Sequence, residues 1–310
     1  MNIADREFYA LVREVKSMSE EELADRMRAG LLALPQETVR GLSDFFCRFG
    51  YWGSLRPERG DFTEIALSAA SLSRHIDDYA RLYERLADVR SKRTLFSVLS
   101  CRMRYDFAAA AATRETLFPD YFDPDILPCT AGEVMVDLGA YVGDTVASYL
   151  SVYGVDCYSK IYCYEITPAV FAELERNLAP FPRIETRRKG VLDRPGRMTV
   201  ASCPASASAN TLSREDPAGE SVEVTTLDLD IAEPVTLIKA DIEGAEYAAL
   251  LGAARHLREE RPRLALSVYH GHDDLWRIPL LVDALAPGYT FRLRHRGSPL
   301  FPTEITLFAT

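Results

Sequence analysis

The chain reads as an α/β protein, a doubly wound, mostly parallel sheet with an antiparallel last strand, preceded by an all-helical N-terminal region. Three observations predict this. Residues 1–125 place apolar side chains at helical spacing, whereas from Val134 onward short apolar runs alternate with helical stretches. Between the two, "LFPDYFDPDILPCTAGE" (Leu117 to Glu133) carries three prolines and a glycine and reads as a connection. The expected organisation is a helical region over 1–125 and an α/β domain over 126–310.

In the helical region, "ETVRGLSDFFCRFG" puts Val39, Leu42, Phe45, Phe46 and Phe49 on one helical face. A longer pattern runs through Ile65, Ala69, Leu72, Ile76, Tyr79, Tyr83 and Leu86 in steps of four and three, a heptad seam. Its flanks are Ala66, Ser73, Ala80 and Ala87 on one side and Ser68, His75 and Leu82 on the other, which give a coiled-coil partner no charges to read. The seam is therefore expected to pack against its own chain, with a two-fold coiled coil as the alternative, and the oligomeric state stays open.

In the second region, strands are expected at Val134–Leu138, Ile161–Glu165, Ile184–Lys189, Val235–Ala240, Leu264–Tyr269, Thr290–His295 and Ile305–Ala309. Helices are expected after the first strand, at Pro168–Leu178 and at Glu243–Leu257. A shorter strand pair, Met198–Ser202 and Val222–Leu227, brackets the small-residue loop "CPASASANTLSREDPAGE".

Composition narrows the classes. Of 310 residues, 47% are hydrophobic and 26% charged, the balance of a soluble globular protein. No apolar run approaches the roughly 20 residues that span a bilayer, and the N-terminus lacks the apolar centre of a signal peptide. A cytoplasmic location and no membrane partner are expected. A net charge of −10 argues against nucleic acid, and the one basic cluster, "RIETRRKG", reads as a solvated strand edge. The cysteines at 47, 101, 129, 157, 163 and 203 form no zinc-like spacing, so all six are expected as free thiols.

The chemistry concentrates at strand ends. "DLGAYVGDT" follows the first strand with only Gly139 and Gly143. A dinucleotide loop expects G-x-G-x-x-G, and Tyr141 stands where the middle glycine belongs, so a pyrophosphate is disfavoured. The loop suits S-adenosylmethionine: Asp137 can offset the ligand's positive charge, Gly139 lets the backbone approach, and the helix start from Gly143 to Thr145 offers N–H groups and a hydroxyl to its carboxylate. Turn glycines with a helix-associated acid are the competing reading. Glu165 ends the second strand, where a carboxylate accepts from ribose hydroxyls. Asp193, in "GVLDRPG", either accepts from an adenine amino group or opens a turn. "TLIKADIEGAEYAALLGAARHL" brings Asp241 to the same sheet edge, while Glu243 and Glu246 fit a helix's first turn. "SVYHGHDDLW" brings His270 there, in the pKa range of a general base.

"VMVDLGAYVGDT", "YCYEITPAVFAELERNL", "TLIKADIEGAEYAALLGA" and "RPRLALSVYHGHDDLWRIPLLVDAL" together resemble the FkbM family of S-adenosylmethionine-dependent methyltransferases, over roughly residues 82–310. The resemblance implies a Rossmann-like class I methyltransferase fold and methyl transfer to a hydroxyl of a sugar, polyketide or other natural product, a small-molecule acceptor. "GAYVGDT" is also similar to the loop of catechol-type O-methyltransferases, which implies cofactor contacts for Tyr141 and Thr145. Asp241 matches the first metal position of those enzymes, but His270 stands near where further acidic or amide ligands belong, so a divalent cation stays open. The expected catalytic residues are Asp241 and His270. The alternatives are a nicotinamide-dependent oxidoreductase and a non-catalytic S-adenosylmethionine-binding or scaffolding protein.

Overall fold

A computed structural model describes residues 2–203, 206–213, 219–301 and 303–310. Much of the expected small-residue loop lies outside the described residues. The chain forms two compact units: Met1–Thr116 with Val268–Pro279 and Thr290–Ile305, and Leu117–Ser267 with Leu280–Tyr289 and Thr306–Thr310. The division is not a single cut along the chain.

The first unit begins with α1 (Ile3–Lys16) and α2 (Glu20–Leu32), each opened by a reciprocal capping pair, Asn2 with Asp5 and Ser19 with Glu22. Helix α3 (Gln36–Phe49) stops at Gly50, whose φ of 74° lies in the left-handed region. A two-rung hairpin, β1 (Leu55–Arg56) and β2 (Asp61–Phe62), leads into α4 (Thr63–Arg85). Helices α5 (Val89–Arg104) and α6 (Phe107–Ala112) follow. Every residue of the expected seam, from Ile65 to Leu86, is buried, and α4 packs against α1, α2 and α5 of its own chain. Tyr83 illustrates the fit: its ring stacks on Phe8 at 3.8 Å and its hydroxyl donates to Asp5 at 2.9 Å.

The second unit runs β3 (Glu133–Leu138), α7 (Asp144–Tyr153), β4 (Tyr158–Tyr164), α8 (Pro168–Leu178), β5 (Ile184–Arg187) and β6 (Lys189–Val191). It continues with β7 (Gly196–Ala201), β8 (Thr211–Ser213), β9 (Glu220–Thr225), α9 (Leu227–Asp230), β10 (Leu237–Ala240), α10 (Glu246–Leu251), α11 (Ala254–Glu259) and β11 (Arg263–Ser267). Helix α12 (Asp274–Leu285) starts among residues of the first unit, β12 (Phe291–His295) belongs to that unit, and β13 (Ile305–Ala309) is the last strand. The main sheet of this unit has the order β13–β11–β10–β3–β4–β5. Its pairs are parallel except β11 with β13, as expected for the last strand. Strands β4 and β5 extend to one side of β3, β10 and β11 to the other, so the order reverses beside β3, where a doubly wound sheet opens a crevice at its carboxyl edge. A second sheet, β6–β9–β7–β8, contains the expected short pair as β7 and β9, antiparallel.

Four expectations change. The strand over Ile184–Lys189 divides at Arg188 into β5 and β6, which join different sheets. The helix over Glu243–Leu257 is two helices, because the chain at Gly252 presses against Leu192: a Cβ there would stand 2.0 Å from the Leu192 carbonyl oxygen. Helix α12, with Pro279 inside it, was not expected. Cys129 and Cys157 are joined as a disulfide, so the reading of all six cysteines as free thiols is corrected for this pair. Among the described residues, no helix is long and apolar enough to cross a membrane.

Candidate active site

Parallel register builds the site. Ala240 on β10 pairs with Leu138 on β3, and Leu138 pairs with Tyr164 on β4. The next residue on each strand is Asp241, Gly139 and Glu165, so three chemically distinct positions share one edge of three adjacent strands. All three line one cavity of the second unit, together with Val191, Asn210 and Leu212. The cavity encloses about 500 Å³ of space, part of it open to solvent.

Gly139 is irreplaceable on steric grounds. Its φ is 78°, and a Cβ would sit 1.9 Å from the carbonyl oxygen of Asp241. The loop continues through Tyr141, also at positive φ (46°), to Gly143 (φ 93°), which caps α7. Thr145 is buried in the first turn of that helix. Glu165 accepts from the Thr167 N–H at 2.7 Å. Burial raises its pKa despite the opposing backbone N–H groups of Thr167, Ile166 and Tyr141.

Asp137 and Asp193 stand elsewhere than expected. The Asp137 side chain is wholly buried on β3 and is outside the cavity lining; its Oδ1 lies 3.0 Å from the Lys239 ammonium. Burial pushes Asp137 up to about 6, although Lys239 pulls the other way. The lysine, itself desolvated, remains charged because Asp137 and then Asp241 outweigh its burial, and its pKa is raised. Its Nζ also donates to the Gly139 carbonyl at 2.7 Å. Asp137 thus meets a protein cation rather than a ligand, and the pair fixes the glycine loop from below. Asp193 is exposed in the turn beyond β6 and likewise outside the lining, since the chain leaves the cavity after Val191.

Asp241 is held by a residue from the connection. The Tyr121 hydroxyl donates to Asp241 Oδ2 at 2.9 Å and lies 3.0 Å from Ser267 Oγ. Phe122, next to Tyr121, is core, edge-on to Tyr149 at 5.5 Å. Glu246 accepts from the N–H groups of Ile242 at 2.8 Å and Gly244 at 3.0 Å, and so caps the turn entering α10. His270 belongs to the first unit, buried, with its ring 4.2 Å from that of Tyr269 and 5.9 Å from that of Tyr51. Lys239 was missed by sequence reasoning. Its signal was a lone charge inside the apolar run "TLIKA", where only a buried partner makes a lysine tolerable.

The family model for the methyltransferase FkbM domain matches residues 137–293, just over half of the chain. The chain belongs to the FkbM methyltransferase family. It is an S-adenosylmethionine-dependent methyltransferase, which sets aside the nicotinamide and scaffolding alternatives. Among solved structures, an FkbM methyltransferase from Methylobacillus flagellatus is 24% identical with a TM-score of 0.66, over 88% of this chain and 71% of that one, a likeness of fold. Fibrillarin from Aeropyrum pernix, solved with S-adenosylmethionine bound, is 16% identical over 66% of this chain and 74% of that one. Its TM-score is 0.39. No protein with a curated description matches the chain in sequence.

The FkbM site fits S-adenosylmethionine on its own geometry. A glycine whose missing Cβ leaves room for the Asp241 carbonyl lines the cavity, and a largely buried carboxylate faces the same space with acceptor capacity for ribose hydroxyls.

Proposed function

We propose that this FkbM enzyme is an O-methyltransferase acting on a hydroxyl of a small acceptor, a sugar, polyketide or other natural product. The observation that carries the reading is Asp241, a carboxylate in the cavity wall whose Oδ2 is fixed by the Tyr121 hydroxyl. When bound, S-adenosylmethionine supplies a methyl group on a sulfonium centre. Glu165 holds the ribose hydroxyls, and the loop from Gly139 through Tyr141 and Gly143 to Thr145 holds the methionine portion. Asp241 accepts the hydrogen bond of the acceptor hydroxyl, orients its oxygen, and draws on its proton as the oxygen becomes nucleophilic. His270 is the second candidate for that proton.

The test is a calorimetric titration with S-adenosylhomocysteine followed by an acceptor screen. Wild type should bind it, and Glu165→Ala should bind at least about tenfold more weakly, through loss of hydrogen bonds to a charged acceptor. Asp241→Asn should keep cofactor affinity and lose turnover by about 10²-fold or more. Methylation of nitrogen or carbon acceptors alone would overturn the O-methyl reading. A second reading, with a divalent cation on Asp241, rests on Glu243 lining the same cavity. Loss of turnover on chelation and its return with magnesium would favour it.

A further inference from the structure

A second cavity lies wholly within the first unit, apart from the cofactor cavity. Its walls are aromatic: Phe45 and Phe46 from α3, Trp52 beyond it, Tyr105 and Phe107 after α5, and Phe301, which stacks on Phe45 at 3.9 Å. The space between these walls is partly open to solvent. Its lining holds one carboxylate, Glu64, and two basic side chains, Arg102 and His272.

Two of these are already committed. Arg102 donates to the His272 carbonyl at 2.9 Å and to the Tyr79 hydroxyl at 3.4 Å. The His272 ring, at 2.9 Å from the Trp52 carbonyl, is pushed down to about 4 by burial and is neutral in ordinary conditions. Glu64 differs. It is only 7% exposed, and among the described residues no side chain hydrogen-bonds to its carboxylate, Arg102 acting on it only through charge from beyond ion-pair distance. A buried carboxylate without such a partner is costly, and a cavity is where an external partner can reach it. Aromatic faces carry negative charge at their centres and attract cations as well as apolar groups. Carboxylate and rings therefore favour the same kind of guest.

We propose that this cavity is a small-molecule site that takes an arylalkyl amine, its ring against Phe45, Phe46 and Trp52 and its ammonium on the Glu64 carboxylate. The arrangement selects by charge as well as by shape. A neutral analogue keeps the ring contacts and loses the ion pair, and an anionic one places like charge against Glu64.

The experiment uses full-length protein carrying Trp276→Phe, so that emission reports Trp52, the other of the two tryptophans. Titrations at pH 8 use 2-phenylethylamine, 2-phenylethanol and phenylacetate as near-isosteric probes. The amine should quench saturably and bind at least about tenfold more tightly than the alcohol, with the acid weakest, as a charge-assisted hydrogen bond implies. Glu64→Gln should bring amine and alcohol to equal affinity, and Glu64→Asp should keep the amine ahead. Phe46→Ala should weaken all three alike and leave their ranking unchanged. No saturable quenching, equal affinities in the wild-type cavity, or a preference that survives Glu64→Gln would overturn the proposal.

Discussion

Replacing Glu64 with glutamine should stabilise the protein, and in one range of pH. Burial pushes this carboxyl up to about 7 from its ordinary 4.5, with Arg102 opposing. Between those values the folded protein keeps a proton that the unfolded chain has released, so stability falls as pH rises through the window. Above about pH 7 the whole penalty is present. The shift of 7 minus 4.5 corresponds to roughly 3 kcal/mol at about 1.36 kcal/mol per pKa unit. Glutamine keeps the shape without titrating. Its stability advantage should therefore be near zero at pH 4.5 and approach about 3 kcal/mol by pH 8. His272, in the same cavity, works the other way. Its depressed pKa means that stability is lost as pH falls below its ordinary 6.5, because the unfolded chain then binds a proton that the folded chain does not. The two slopes oppose each other in the wild-type curve, and subtracting the two variants isolates the acid. Urea denaturation at pH 5, 6, 7 and 8 supplies the difference. An offset that does not change with pH, or a glutamine variant that is less stable at pH 8, would refute the reasoning.

Gly139→Ala should reduce S-adenosylhomocysteine affinity at least about tenfold and lower the melting temperature, since the left-handed φ alone costs about 1–2 kcal/mol and the Asp241 carbonyl blocks the methyl group. Calorimetry and a thermal melt that match wild type would show that the loop yields more easily than its geometry says. Reducing the Cys129–Cys157 bridge, which closes a separation of 28 residues, should cost about 2–4 kcal/mol, read as a drop in melting temperature with a reductant and in Cys129→Ser. Six titratable thiols in native protein under non-reducing conditions would contradict the bridge.

Much of the architecture could be read in advance because its signals are local. The apolar seam of α4, the runs of β3, β4 and β11, and Pro168 opening α8 each announce themselves within a dozen residues. The same holds for the position of Gly139 and Glu165 at one cavity, which follows from standing just past a strand. What escaped depends on distant partners. Nothing near Gly252 says that the Leu192 carbonyl will press on it and break a helix, and nothing near Arg188 says that its strand divides between two sheets. Asp137 was expected to face a ligand because its neighbour across the ladder, Lys239, lies about a hundred residues away in the chain. The Tyr121–Asp241 hydrogen bond spans a similar gap, so the tyrosine's partner was invisible even though its segment was noticed.

The ladder beneath the proposed cofactor cavity sets its floor dimensions. Asp241, Gly139 and Glu165 follow directly on hydrogen-bonded strand ends, so their spacing is inherited from the repeat between neighbouring strands, about 4.8 Å. Widening that floor means breaking sheet hydrogen bonds, and a one-residue slip of any strand would turn its terminal side chain to the opposite face. The floor is consequently a fixed gauge. Adaptation to new acceptors has to be sought on the walls that stand outside this ladder, such as Asn210 and Leu212, where insertion or exchange leaves the gauge untouched.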